Sequence, residues 1–69
     1  IEGVNISIFF REESDYVKVS LRSVGEYAVN IIASELYNGG GHKNASGGEF
    51  FGTINEAVTL IKSQINKYI

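Results

Sequence analysis

Residues 4–22 read VNISIFFREESDYVKVSLR, and this stretch decides the fold. Apolar and polar residues alternate in two runs, over residues 4–11 and again over residues 16–22. Such alternation is typical of β-strands with one buried face. The polar residues between the runs, Glu12 to Asp15, have the length of a hairpin loop. We therefore predict two antiparallel strands, and we interpret Phe9, which interrupts a polar face, as a mark of a ligand or partner surface.

The periodicity changes to that of a helix after the second strand. Apolar residues follow helical spacing over residues 29–36. Ser23 and Glu26 have the spacing of a capping box, so the helix is expected to begin at Ser23 or, equally, near Glu26 or Tyr27. We expect it to end at Asn38–Gly39, a pair suited to a left-handed helix exit.

The last third of the chain predicts a short aromatic strand over residues 49–52 and a second helix. Thr53-x-x-Glu56 is a capping box, and the apolar stripe behind it continues to the C-terminus. The order strand-strand-helix-strand-helix predicts an α/β chain of the α+β type, with a small mixed sheet and two helices packed on it. We expect one domain over residues 1–69, and a first strand so close to residue 1 indicates a part of a larger protein.

Composition narrows the functional classes. The chain lacks cysteine and has one histidine, which excludes disulfides and the ligand sets of structural zinc. A net charge of -2 argues against a domain that holds long nucleic acid by neutralising phosphates. No apolar run reaches the roughly 20 residues of a membrane span, and no signal peptide is evident. We expect a soluble, cytoplasmic protein with no membrane contact.

Residues 39–48, GGGHKNASGG, hold five of the eight glycines and the single histidine. Glycine lets backbone approach a ligand closely, and a helical turn after Gly41 would point free N–H groups at an anion. His42 adds a donor and Lys43 a positive charge. The alternative is that the glycines only extend a helix cap. The segment is not a Walker loop, because Asn44 follows Lys43, and it does not follow a strand as a dinucleotide fingerprint does.

Arg22 is a second candidate, because it ends a strand on its polar face. Its guanidinium can bind a phosphate or stack on a base, with Ser20 and Ser23 beside it, or it can simply be solvated. Catalytic groups are scarce. With one aspartate, Asp15, and one histidine, His42, we predict no catalytic residue and no metal ligand in this chain.

Residues 39–42 with residues 44–47 resemble the GGGHxxAAG signature of the DHH-associated C-terminal domain. Residues 19–23, followed by Val29-Asn30, resemble the run that precedes the glycines in the oligoribonuclease branch of that family. Ser46 stands where the family usually has alanine, and Tyr27 stands near a position where an aspartate often occurs.

This resemblance implies the C-terminal domain of a phosphoesterase of the oligoribonuclease and pAp phosphatase branch. Manganese would be bound in a separate N-terminal domain bearing an Asp-His-His motif. The implied partners are that domain and short single-stranded RNA or DNA, or a mononucleotide bisphosphate. The expected substrate-binding residues are Arg22, Gly40, Gly41, His42, Ser20, Ser23 and Lys43. Of these, Lys43 is included for its charge and not for the resemblance.

Two other functions stay open from sequence. One is a non-catalytic RNA-binding module like the C-terminal domain of alanyl-tRNA synthetases, which would show a steep salt dependence. The other is an assembly domain whose exposed sheet edge pairs with a second copy to form a homodimer.

Overall fold

The structure, a computed structural model, describes residues 5–68. Val4, the predicted start of the first strand, and Ile69 lie outside the described residues. The expected α+β class with two helices is confirmed, although the sheet has four strands rather than three. In chain order the elements are β1 (Ile6–Glu12), β2 (Val17–Ser23), α1 (Val29–Leu36), β3 (Gly40–His42), β4 (Ala45–Phe50), α2 (Ile54–Gln64) and a 3-10 turn (Ile65–Lys67).

The strands lie in the order β1-β2-β4-β3, and all pairings among residues 5–68 are antiparallel. A mixed sheet was therefore the wrong expectation. The reason is local, because β1 with β2 and β3 with β4 are joined by short hairpins, whereas parallel neighbours need a long crossover. The short β3 takes one edge of the sheet and β1 takes the other.

The hydrophobic core lies between one face of the sheet and both helices. Tyr37 is fully buried at its centre, where its hydroxyl donates to the carbonyl of Ala57 at 2.9 Å and its ring meets Phe10 and Phe50 edge-on. Burial raises the pKa of Tyr37 to about 12. The buried core residues are Ile6, Ile8, Val17, Val19, Leu21, Val29, Ile32, Ala33, Tyr37, Ala57 and Ile61.

The opposite face of the sheet is covered by neither helix, and we call it the open face. Alternation along each strand and the register between strands decide which residues share it. These residues are Ser7, Phe9, Arg11, Lys18, Ser20, Arg22, Gly40, His42, Ala45, Gly47 and Glu49.

The first helix begins later than the sequence indicated. Its first residue is Val29 and its cap, Ala28, makes no side-chain cap bond, so the starts expected at Ser23, Glu26 or Tyr27 are wrong. The physical reason is that Ser23 continues β2, and its hydroxyl donates to the Tyr27 carbonyl at 2.5 Å instead of capping a helix. The chain then turns through residues 24–28 before the helix starts.

The second helix confirms its predicted capping box. Thr53 Oγ1 accepts from the Glu56 N–H at 3.1 Å, and Glu56 Oε1 accepts from the Thr53 N–H at 2.9 Å. The α-helix ends at Gln64 and continues only as the 3-10 turn. Between residues 5 and 68, the structure has no helix long and apolar enough to cross a membrane.

Candidate functional site

The glycine-rich segment is a β-hairpin. Strand β3 pairs with β4 from Gly40↔Gly47 to His42↔Ala45, and only Lys43 and Asn44 form the turn. A helical turn after Gly41, one possibility that the sequence left open, is therefore not formed, and no helix N-terminus is available there for an anion. The hairpin forms because Gly41, at φ 144°, adopts a backbone conformation that other residues rarely reach.

The hairpin turn is fastened to the end of β2. The Ser23 N–H donates to the Asn44 carbonyl at 3.1 Å, and the Val29 N–H donates to the Lys43 carbonyl at 2.8 Å. The Asn44 side-chain amide donates to Ser23 Oγ at 2.8 Å and to the Gly25 carbonyl at 3.2 Å. These bonds fix the position of β3 relative to the last residues of β2.

The glycines of the hairpin fall into two groups. A Cβ at Gly48 would overlap the Tyr37 carbonyl oxygen and lie 2.8 Å from the Tyr37 Cβ, so this glycine lets α1 approach β4. A Cβ at Gly40 would meet nothing within 4 Å. Since Asn38, at φ 51°, supplies the left-handed residue after α1, the glycines are more than an extended cap.

Arg22 and His42 occupy one row of the open face. The register pairs Ser7 with Arg22, Arg22 with Ala45, and Ala45 with His42, so the row crosses all four strands. Two strand spacings separate Arg22 from His42, roughly 10 Å between backbones. Arg22 and His42 are exposed, and Arg22 forms no ion pair within residues 5–68. The small Ala45 leaves space between two nitrogen donors that can converge on one anion.

The second row of the open face is nearly bare. Phe9 pairs with Ser20, Ser20 with Gly47, and Gly47 with Gly40. Because the two glycines carry no side chain, the surface next to Ser20 is flat backbone. A ligand held in the Arg22 row can therefore lie directly against this second row.

Positive charge is concentrated on the open face despite the acidic composition. Arg11, Lys18 and Arg22 lie there with a single carboxylate, Glu49. Arg11 Nε is paired with Glu13 at 2.5 Å, which leaves Lys18 and Arg22 as the unpaired cations of this face within residues 5–68. The net charge of -2 does not reveal this segregation, since a local field depends on where charges lie.

Comparisons with known proteins bear on this site. The sequence model of the DHHA1 domain matches residues 1–69. The chain belongs to the DHHA1 domain family. Two relatives are named bifunctional oligoribonuclease and PAP phosphatase NrnA. The one from Bacillus subtilis is 43% identical over 51 residues, covering 74% of this chain and 16% of the relative. The one from Thermus thermophilus is 45% identical over 47 residues, covering 68% and 14%.

A solved structure is also similar to this chain. It is an exopolyphosphatase-related protein from Bacteroides fragilis, 51% identical to this chain with a TM-score of 0.89. The match covers 99% of this chain and 20% of that protein. This DHHA1 domain therefore spans a fifth or less of the length of the relatives it matches.

The structure brings some of the predicted site residues together and separates others. Arg22, Ser20, Gly40 and His42 share the open face of the DHHA1 domain. Ser23 lies on the opposite side of β2, and its hydroxyl is engaged by the 24–28 loop and the hairpin turn.

Gly41 and Lys43 also lie away from the row that joins Arg22 to His42. Gly41 pairs with Ser46 on the core side of the hairpin, so its contribution is conformational. Ser46, the departure from the family signature, donates to the His42 carbonyl at 2.7 Å and does not reach the open face. Lys43 lies in the turn, 3.5 Å from Glu26, where both side chains are largely exposed and the attraction is weak.

Sequence reasoning placed Lys18 on the outward side of β2 with Ser20 and Arg22, but it missed Ala45 and Gly47 as members of the face. The signal was weak, because residues 45–48 read ASGG and show no apolar alternation. Only the pairing of β4 with β2 places Ala45 and Gly47 beside Arg22 and Ser20.

The described residues do not fit a metal site. Within residues 5–68 no three His, Asp or Glu side chains converge on one point. The nitrogen donors of Arg22 and His42 suit an anion rather than a metal ion.

Proposed function

We propose that this DHHA1 domain is the substrate-binding part of a DHH-type phosphoesterase that hydrolyses short oligonucleotides or a mononucleotide bisphosphate such as pAp. The observation that carries the proposal is the placement of Arg22 and His42 in one exposed row, on either side of Ala45. The names of the two curated relatives support the substrate class. Because both relatives are named for hydrolysis, a non-catalytic RNA-binding module is not favoured.

The proposed contribution of this chain is orientation. The Arg22 guanidinium can donate two parallel hydrogen bonds to a phosphate, and His42 can donate a third from the far side of Ala45. A terminal phosphate held in this way fixes where the neighbouring phosphoester lies, and such positioning lowers a reaction barrier without chemistry by the holding residues.

The catalytic groups are proposed to lie in a separate DHH domain of the same protein. Manganese bound there would supply an activated water, and the described residues of this chain would only present the substrate. We place the protein in the cytoplasm, with which a chain lacking cysteine is compatible.

The test uses the full-length protein with Arg22→Ala and His42→Ala, and it measures kcat/KM for pAp and for a two-nucleotide RNA. A hydrogen bond to a charged group contributes roughly 1.5–3 kcal/mol, so each variant should lose about 10- to 150-fold in kcat/KM. Lys62→Ala is the matched control, because Lys62 is exposed on α2, on the other side of the sheet. Wild-type kcat/KM in both the Arg22 and His42 variants would refute the proposal.

A further inference from the structure

Phe9 is an exposed aromatic residue in a polar and basic surface. Its side chain is 62% exposed, and it stacks on no other ring within residues 5–68. Phe51 offers a contrast, since it is 67% exposed but its ring lies 6.2 Å from that of Tyr16. A single exposed apolar residue needs no explanation by itself. The position of Phe9 relative to Arg22, however, suggests a function for this exposed ring.

The register places Phe9 within reach of the proposed phosphate site. Phe9 is directly opposite Ser20, and Arg22 lies two residues further along β2. Diagonal neighbours of this kind are roughly 7–8 Å apart, a separation comparable with that between the base and a phosphate of one nucleotide. The surface beside Phe9 is unobstructed, because its row continues through Ser20, Gly47 and Gly40.

The surroundings of Phe9 suit a planar, electron-rich ring. An open depression of about 310 Å³ is lined by Phe9, Phe10, Arg11, Lys18 and Ser20. A sheet surface that carries an exposed aromatic ring beside basic side chains is the kind of surface on which proteins stack single-stranded bases. An apolar partner chain would instead meet the charges of Lys18 and Arg22 on both sides of the ring.

We propose that the ring of Phe9 stacks on the base of the nucleotide whose phosphate is held by Arg22 and His42. The inference rests on the proposed function for its phosphate site. It narrows the ligand class to phosphates that carry a base. Inorganic polyphosphate has no base and would make no stacking contact with Phe9. Because every base has a flat face, the contact tolerates all four bases and favours the larger purines.

The experiment measures the affinity of the full-length protein by calorimetry without added divalent metal, so that no turnover occurs. The two ligands are pAp and its counterpart in which hydrogen replaces the base. Phe9→Ala should weaken pAp binding by about 5- to 150-fold and leave the base-free ligand unchanged. Phe9→Trp should restore pAp binding, whereas Phe9→Leu, which keeps apolar bulk without a ring, should not.

Two controls separate this inference from the proposed function. Phe51→Ala, at a similarly exposed phenylalanine, should bind both ligands as the wild type does. Arg22→Ala should weaken both ligands equally, and no effect of it on either would refute the proposed function. Base stacking is refuted, and the proposed function stands, if Arg22→Ala weakens both ligands but Phe9→Ala affects neither. The same conclusion follows if Phe9→Ala weakens both ligands equally. Failure of the wild type to bind pAp overturns both.

Discussion

The two kinds of glycine in the β3–β4 hairpin make a prediction that separates folding from binding. Gly48→Ala and Gly40→Ala are the same chemical change, made eight residues apart on opposite faces of one small sheet. We expect the first to destabilise the domain without altering the open face. We expect the second to stabilise the domain slightly and to weaken nucleotide binding.

The magnitudes follow from what each new methyl group would meet. At Gly48 the obstacles are the carbonyl oxygen of Tyr37 and its Cβ at 2.8 Å, which belong to the end of α1 and cannot rotate away. Overpacking of this kind costs about 1–3 kcal/mol, and a backbone obstacle favours the upper end. At Gly40 there is nothing within 4 Å and no left-handed backbone, so restricting the unfolded chain should stabilise the domain by roughly 0.4–1 kcal/mol.

Thermal unfolding of the 69-residue chain, followed by circular dichroism, measures the first half of the prediction. For a domain of this size, 1 kcal/mol corresponds to about 4–8 °C, so a loss near 3 kcal/mol lowers Tm by about 12–24 °C. Calorimetry of pAp with the full-length protein measures the second half. Equal Tm values for Gly48→Ala and the wild type would refute the close approach of α1 to β4. Unchanged pAp affinity in Gly40→Ala would refute the role of this face.

Two further predictions concern the core and the hairpin turn. Burial raises the folded pKa of Tyr37 from 10.0 to about 12, so its stabilising contribution is complete below pH 10 and is lost as pH rises toward 12. The loss is roughly 3 kcal/mol, measured by urea unfolding. Tyr37→Phe should remove the part of the pH dependence due to Tyr37 and leave the part due to Tyr68, whose bond to Glu35 also raises its pKa to about 12. An unchanged pH profile in the variant would contradict this. Asn44→Ala should cost about 0.5–1.5 kcal/mol, because the Ser23 hydroxyl loses an exposed hydrogen bond. A Tm equal to that of the wild type would show that the turn is not held by this side chain.

The strongly periodic parts of the chain were predictable from sequence. The alternation of residues 4–22 predicted β1 and β2, and the Thr53–Glu56 box predicted the start of α2. Both patterns depend only on residues close in sequence, so they can be recognised without knowledge of the fold. The start of α1 was not predictable, because Ser23 bonds to Asn44, a residue 21 positions away.

The candidate site was predictable in part. The residue types and the family resemblance indicated Arg22 and His42, yet their geometry depends on β4 lying between them. An ASGG sequence carries no strand periodicity, and the residues after Gly41 were also compatible with a helical turn. The basic character of the open face was also hidden, since composition averages Lys18 and Arg22 with carboxylates located elsewhere.

A crystal structure of the full-length protein with pAp bound tests directly whether the open face holds the phosphate. We expect phosphate oxygens about 2.7–2.9 Å from the Arg22 guanidinium and from a His42 ring nitrogen, across Ala45 on the open face. A bound nucleotide that leaves both Arg22 and His42 facing solvent would refute this role of the open face.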